Sequence, residues 1–349
     1  VLAESDDQPF RCREIGEVLI DEKTTIAYRG EEVEMEEALK AWTTPLEGVF
    51  PTASSSPAQH EQVDHLEDYD YEAKDIYICK HKVARPKVFI PAFPGTNCEY
   101  DSARAFERAG ADVETIVFRN MNDRLIIDSL NAYERAIKES QIIMIPGGFS
   151  AGDEPEGSAK FITSVFRNSR VADAVMELLN KRDGLMLGIC NGFQALVKLG
   201  LVPYGEIRPQ DTDSPTLTFN TIGRHQSKIA YTRVVSNLSP WLRGTDPEEI
   251  YAVPISHGEG RFVASSEWIE TLFSNGQVAT QYVNLNGIPT MDERFNMNGS
   301  YEAIEGITSP DGRVFGKMAH SERRSDGTYL NVPGEQDQRI FESGVEYFK

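Results

Sequence analysis

Between residues 87 and 189 the sequence alternates short, almost wholly apolar runs with stretches of helical spacing, and this alternation limits the fold more than any other feature. Apolar runs at 88–93, 113–118, 141–146 and 184–189 are too short for buried helices and read as strands. Helical spacing falls between and around them, at 100–109, 130–140, 158–168 and 171–180. Strands that are apolar on both faces and separated by helices form a parallel sheet covered on both sides. Beyond residue 225 the strands at 229–235, 250–255, 278–283 and 313–318 are shorter and more alternating, which predicts an antiparallel extension. The expected fold class is therefore α/β, with a mostly parallel sheet, helices on both faces and an antiparallel extension.

Ahead of this region the pattern is different. Residues 14–20 and 25–28 read as short alternating strands and 34–42 as a helix, a piece too small to bury a core alone. The serine- and proline-punctuated stretch at 52–59 and the acidic stretch at 64–75 read as a linker, lying over a surface or partly disordered. Three segments result: 1–50, 51–83 and 84–349. No internal repeat is present.

Composition narrows the partners. In 349 residues, 40% hydrophobic and 26% charged residues suit a soluble globular chain with a sizeable core. Lysine and arginine number 35 against 55 aspartates and glutamates, a net charge of −20. Such a surface repels phosphate backbones and anionic lipid, so neither nucleic acid nor membrane is expected as main partner. Four cysteines (Cys12, Cys79, Cys98 and Cys190) are too few for a disulfide framework. No apolar stretch approaches the roughly 18 residues of a membrane span. The first residues lack a signal-peptide profile, so the reducing cytoplasm is the expected compartment. The absence of an initiator methionine fits a chain cut from a longer one.

The most informative residues are Gly188-Ile-Cys190-Asn-Gly192, at the junction between an apolar strand and a helix over 193–199. A nucleophile flanked by glycines in that context is a nucleophile elbow. The glycines let backbone and helix pass close to a strained residue, and the helix N-terminus favours a thiolate and offers N–H groups to an oxyanion. A cysteine at a strand end is otherwise a small buried apolar residue; the paired glycines argue against that here. A second glycine loop, Pro146-Gly-Gly-Phe-Ser150, follows the preceding strand and can complete an oxyanion hole with the N–H of Asn191.

A cysteine nucleophile needs a base and a group that orients it. Among six histidines, His60, His65, His81 and His225 lie in polar or charged segments and read as solvated. Two head H-x-E pairs, His257-Gly-Glu259 and His320-Ser-Glu322, either of which can set a carboxylate against its imidazole. His320 follows an apolar strand, whereas the glycines around His257 imply a loop, and strand ends hold geometry better. That favours His320; spacing alone does not decide it. Cys79 and His81 form a lone C-x-H pair with no second close pair, so no metal site is expected. Phosphate-loop and dinucleotide-binding glycine motifs are missing.

Five ordered motifs resemble the glutaminase domain of phosphoribosylformylglycinamidine synthases, a class I glutamine amidotransferase of purine biosynthesis. They are Phe93-Pro-Gly-Thr-Asn-Cys-Glu99, Pro146-Gly-Gly-Phe-Ser-Ala-Gly-Asp153, Gly188-Ile-Cys-Asn-Gly-Phe-Gln194, His257-Gly-Glu-Gly260 and Asn296-Met-Asn-Gly-Ser300. The resemblance covers about residues 84–330. It implies a flavodoxin-like fold and a triad of Cys190, His320 and Glu322. It further implies an oxyanion hole from Gly148 and Asn191, and substrate contacts from Gln194, Asn220 and Arg224. Residues 10–52 are similar to the end of the synthetase region in large single-chain members. By that resemblance 1–50 is the tail of a synthetase region, 51–83 a linker and 84–349 the glutaminase domain. Glutamine is the implied substrate and the synthetase domains the implied partner. No cofactor is implied in this chain, because ATP and magnesium belong to the synthetase region. Family members often have proline on both sides of the triad histidine; here Ala319 and Ser321 replace both, which suggests a looser loop. Ala151 and the acidic Asp153-Glu-Pro-Glu156 also depart from the pattern. The competing readings are a hydrolase or chaperone-like protein of the same fold, and an inactive glutaminase-like docking module.

Overall fold

The computed structural model describes residues 24–49, 51, 69–149, 159–325 and 327–349. The chain divides into two compact units, Val1–Thr52 and Ala53–Lys349. In the smaller, β1 (Thr25–Tyr28) and β2 (Glu31–Glu34) pair antiparallel and lead into α1 (Met35–Thr43). The connection is Arg29-Gly30, both with positive φ (52° and 88°), the two-residue turn whose twist matches paired strands. Strand β2 is absent from the sequence reading because three of its four residues are glutamate. The strand expected at 14–20 lies outside the described residues.

The larger unit runs β3 (Lys87–Ala92), α2 (Glu99–Arg108), β4 (Asp112–Val117), α3 (Asp123–Glu139) and β5 (Ile142–Ile145). It continues through α4 (Lys160–Phe166), α5 (Ser169–Lys181), β6 (Leu185–Ile189), α6 (Asn191–Leu199) and the short α7 (Leu201–Tyr204). Then follow β7 (Thr216–Thr218), β8 (Gln226–Val234), β9 (Ile250–His257), β10 (Arg261–Val263) and α8 (Ser266–Ser274). Last come β11 (Val278–Tyr282), β12 (Ile304–Thr308), β13 (Val314–Lys317) and α9 (Ile340–Glu346).

Nine strands form one sheet in the order β4-β3-β5-β6-β13-β12-β11-β8-β9. Pairing is parallel from β4 across to β13 and antiparallel from β13 across to β9, the α/β layout expected. Strands β5 and β6 are buried at every residue, as in a sheet covered on both faces. The antiparallel half curls: β9, last in the order, comes back to the end of β13, where the His320 N–H donates to the Pro254 carbonyl at 2.8 Å.

Three differences from the sequence reading have local causes. Helix α3 starts seven residues earlier than expected because Asn122 caps it, its side chain accepting from Leu125 N–H at 3.0 Å. Strand β12 is fully buried, but Glu305 interrupts its apolar run and hides it from a hydropathy pattern. The described part of the expected linker, 69–83, is tied to the larger unit. Tyr71 N–H donates to Val235 O (2.8 Å), Lys80 N–H to Asp183 (2.8 Å) and Val83 N–H to Phe348 O (2.9 Å), and Cys79 is buried. Among the described residues no helix is long and apolar enough to cross a membrane.

Candidate active site

Cys190 sits between β6 and α6 with φ 54° and ψ −107°, a conformation that L-residues avoid. Both flanking glycines are forced by close approach. A Cβ on Gly192 would lie 1.9 Å from the Ile145 carbonyl oxygen, and one on Gly188 would lie 2.7 Å from the backbone of Gly192. The Cys190 N–H donates to the Lys317 carbonyl on β13 at 2.8 Å, so nucleophile and base strands are joined at this point. Cys190 is 5% exposed, with its sulfur 3.8 Å from the Ser256 carbonyl oxygen.

His320 leaves the end of β13 and enters a single 3-10 turn, Ser321–Arg323. The turn sets Glu322 Oε1 2.6 Å from His320 Nδ1, with both side chains buried. Nδ1 is thereby committed, and Nε2, which makes no hydrogen bond among the described residues, is the nitrogen left for the nucleophile. Burial acts to lower the imidazole pKa, but the Glu322 carboxylate and the Cys190 sulfur outweigh it and hold it well above its ordinary value. Burial likewise raises Glu322, and the facing imidazole outweighs it and leaves the carboxyl below its ordinary value.

Of the second glycine loop, Gly148 has φ +125° and pairs with Thr96; a Cβ there would meet Gly95 O at 2.6 Å. Gly147 touches the site itself. A Cβ on it would lie 2.8 Å from His320 Cε1, 3.2 Å from Cys98 Sγ and 3.4 Å from Cys190 Cβ. The acidic stretch after this loop, with Ala151 and Asp153, lies outside the described residues. Asn191 opens α6, so its N–H lies at the positive end of the helix dipole.

Gln194 and Asn220, two of the expected substrate contacts, also hydrogen-bond within the site. Gln194 accepts from Asn191 Nδ2 (2.9 Å) and donates to the Glu259 carbonyl (2.6 Å). Asn220 donates to the carbonyls of His257 (2.8 Å) and Arg224 (3.1 Å) and accepts from Gly260 N–H (3.1 Å). Arg224 is half-buried in the same turn. His257 is not in a loop, as its glycines suggested, but is the last residue of β9. Its Nε2 lies 3.3 Å from Asn298 Nδ2, whose other contacts are Gly260 O (2.8 Å) and Tyr282 Oη (3.0 Å). Burial, with the nearby His320 and His225 charges, takes the His257 pKa down to about 3, so it is neutral near pH 7. Its acidic neighbour in sequence does not engage the ring as Glu322 engages His320; among the described residues no carboxylate pairs with the His257 ring.

Cys98, which the sequence left without a role, is fully buried at the start of α2. Its sulfur is 3.8 Å from His320 Nδ1, 3.1 Å from Arg323 Nη2 and 3.0 Å from Asn97 Oδ1. Cys98, His320 and Glu322 form the one group among the described residues close enough to share an ion, within 4.8 Å of one another. The Arg323 guanidinium against the same sulfur opposes a cation there.

A strained thiol at the carboxyl edge of a parallel sheet, with a buried histidine–carboxylate pair just after the next strand, is an arrangement suited to thiol-dependent amide cleavage. A family model described as the CobB/CobQ-like glutamine amidotransferase domain matches residues 85–348, and the chain belongs to this family. It is 32% identical over 286 residues to the phosphoribosylformylglycinamidine synthase subunit PurQ of Methanococcus maripaludis, covering 75% of this chain and 97% of that one. The subunit of the same name from Pyrococcus horikoshii is 30% identical over 263 residues, covering 75% and 99%. A solved structure of PurLQS from Thermotoga maritima aligns with a TM-score of 0.53 and 26% identity, over 76% of this chain and all of that one.

Proposed function

We propose that this chain hydrolyses glutamine through a Cys190 thioester and delivers the ammonia to the ATP-dependent conversion of formylglycinamide ribonucleotide to its amidine, in purine biosynthesis. The observation that carries the mechanism is the strained Cys190 beside a buried His320–Glu322 pair 2.6 Å apart. The Cys190 thiolate attacks the side-chain amide carbon, and the oxyanion is taken up by the N–H groups of Gly148 and Asn191. His320 gives its proton to the departing nitrogen, which leaves as ammonia. His320 then takes a proton from water, whose oxygen attacks the thioester, releasing glutamate and restoring the thiolate–imidazolium pair. Glu322 keeps the ring oriented and offsets its charge throughout. Gln194 and Asn220 hold the His257–Gly260 turn against the elbow, and together with Arg224 they contact the bound glutamine.

In this reading the partners are synthetase subunits or domains, and ATP and magnesium belong to them, so this chain needs no cofactor. Residues 1–50 are then the tail of a synthetase region in a longer single chain. A diazo-ketone analogue of glutamine, followed by peptide mass spectrometry, tests the proposal. Labelling of Cys190 that excess glutamine blocks is the expected result. Absence of labelling in the presence of the synthetase region would replace the reading with that of a docking module.

A further inference from the structure

The residues flanking His320 do not form the looser loop that the loss of two prolines suggested. Both are gripped by one buried cation. Lys317, the last residue of β13, is fully buried, and its Nζ donates to the Ala319 carbonyl at 2.8 Å and to Ser321 Oγ at 3.0 Å. It also lies 3.3 Å from Glu305 Oε1 on β12. Ser321 spends its own proton on Gln338 Oε1, so towards Lys317 it is an acceptor. Three acceptors around one nitrogen require three protons, which is the ammonium form. Glu305 is equally committed: Oε1 accepts from Ala319 N–H at 2.7 Å and Oε2 from Thr280 Oγ1. Lys317 also accepts the Cys190 N–H through its own carbonyl.

One residue thus holds the nucleophile's backbone and, through its ammonium, the chain on each side of the base. We propose that the buried Lys317–Glu305 pair is a positioning clamp that sets the His320–Glu322 turn against Cys190, supplying through hydrogen bonds the rigidity that flanking prolines supply through fixed dihedrals. Ala319 and Ser321, on either side of His320, are the two positions that the clamp holds. A proline at 319 would have no N–H for Glu305, so the two devices are alternatives. The inference rests on the proposed triad.

The test uses the full chain with its synthetase partner. Lys317→Met alone strands a buried carboxylate and costs folding, so the informative variant is Lys317→Met with Glu305→Gln. The readout independent of glutamine is the rate of Cys190 alkylation by iodoacetamide against pH. The groups facing His320 are Cys190 from the elbow, Cys98 from the start of α2, His257 from β9, and Glu322 and Arg323 from its own turn. None of these residues is altered in the variant. The expected result is a folded protein whose alkylation profile moves to higher pH, with kcat for glutamine hydrolysis down about 10²-fold and KM unchanged. Adding Ala319→Pro and Ser321→Pro should recover most of both losses. A folded variant with unaltered alkylation and kcat overturns the clamp, and so does a loss that the prolines fail to recover. Unmodified protein that alkylates normally yet releases no ammonia from glutamine sinks the glutaminase reading instead, and the clamp is still judged on alkylation.

Discussion

At the scale of single residues, Cys190 and Gly147 make opposite kinds of demand. Cys190→Ala removes the sulfur that forms the thioester, and glutamine turnover should fall to background in an assay of released glutamate. Cys98→Ala takes away a neighbour of His320 and Arg323, not the nucleophile, and should leave a measurable fraction of that turnover. Gly147→Ala adds a methyl 2.8 Å from His320 Cε1, just past the end of β5. It should keep the thermal midpoint within a few degrees while lowering kcat about 10²-fold, since displacement of a reacting group is that expensive. The choice between the two H-x-E pairs shows where sequence stops. His257 ends β9, His320 lies three residues past the end of β13, and both are buried; the tertiary placement of Glu322 against one ring separates them. His257 carries its own test. Its pKa of about 3 lies below the unfolded value near 6.5, so the unfolded chain binds the extra proton. Stability from this group is fully present above pH 6.5 and is lost as pH falls towards 3, by about 1.4 kcal/mol per pH unit. A His257→Gln protein should show a shallower loss of stability in denaturant titrations between pH 6.5 and 4, and an unchanged slope would refute the assignment.

At the scale of elements, what the sequence made legible was whatever a local pattern can encode. Strands β3, β5 and β6 are apolar on both faces, and the elbow joins one of them to its helix within five residues. Strand β12 escaped because Glu305 serves a partner twelve residues away on β13, a pairing no periodicity reveals. The site's braces were hidden for the same reason: Asn220 and Asn298 hold the turn after β9 from two other segments. The elbow itself is an agreement between elements, and Gly192 marks it. An added Cβ would meet backbone, Ile145 O at 1.9 Å, so β5 and α6 must separate for it. Gly192→Ala should therefore destabilise by roughly 3 kcal/mol or more, beyond the usual range for overpacked cores, visible as a large drop in denaturant midpoint. Its contrast with Gly147→Ala, active-site damage on an intact fold, separates crowding of a side chain from crowding of a sheet.

At the scale of the whole larger unit, the segment that composition marked as linker bears on the catalytic strand. Asp183, with φ 54°, turns the chain from α5 into β6, which ends at Cys190. Its carboxylate accepts from Tyr77 Oη at 2.7 Å and Lys80 N–H at 2.8 Å, while its carbonyl accepts from Tyr347 Oη at 2.9 Å. Residues 77–80 and the chain's last helix region thus meet at the root of the strand that presents the nucleophile. A polar, acidic stretch gave no hint of this, because the contacts are made by its backbone, by the Tyr77 hydroxyl and by Asp183, none of which carries a hydropathy signal. Polypeptides beginning at residue 69 and at residue 84 separate the two views. Loss of several buried hydrogen bonds, at about 1 kcal/mol each, and of the buried Cys79 amounts to a few kcal/mol, or roughly 5–10 °C in a protein of this size. The shorter polypeptide should melt lower by that margin in a calorimetric scan and should expose the β6 amides to faster hydrogen exchange. Equal melting temperatures and equal exchange would make residues 69–83 a tether after all, and the support beneath Cys190 would then come from the sheet alone.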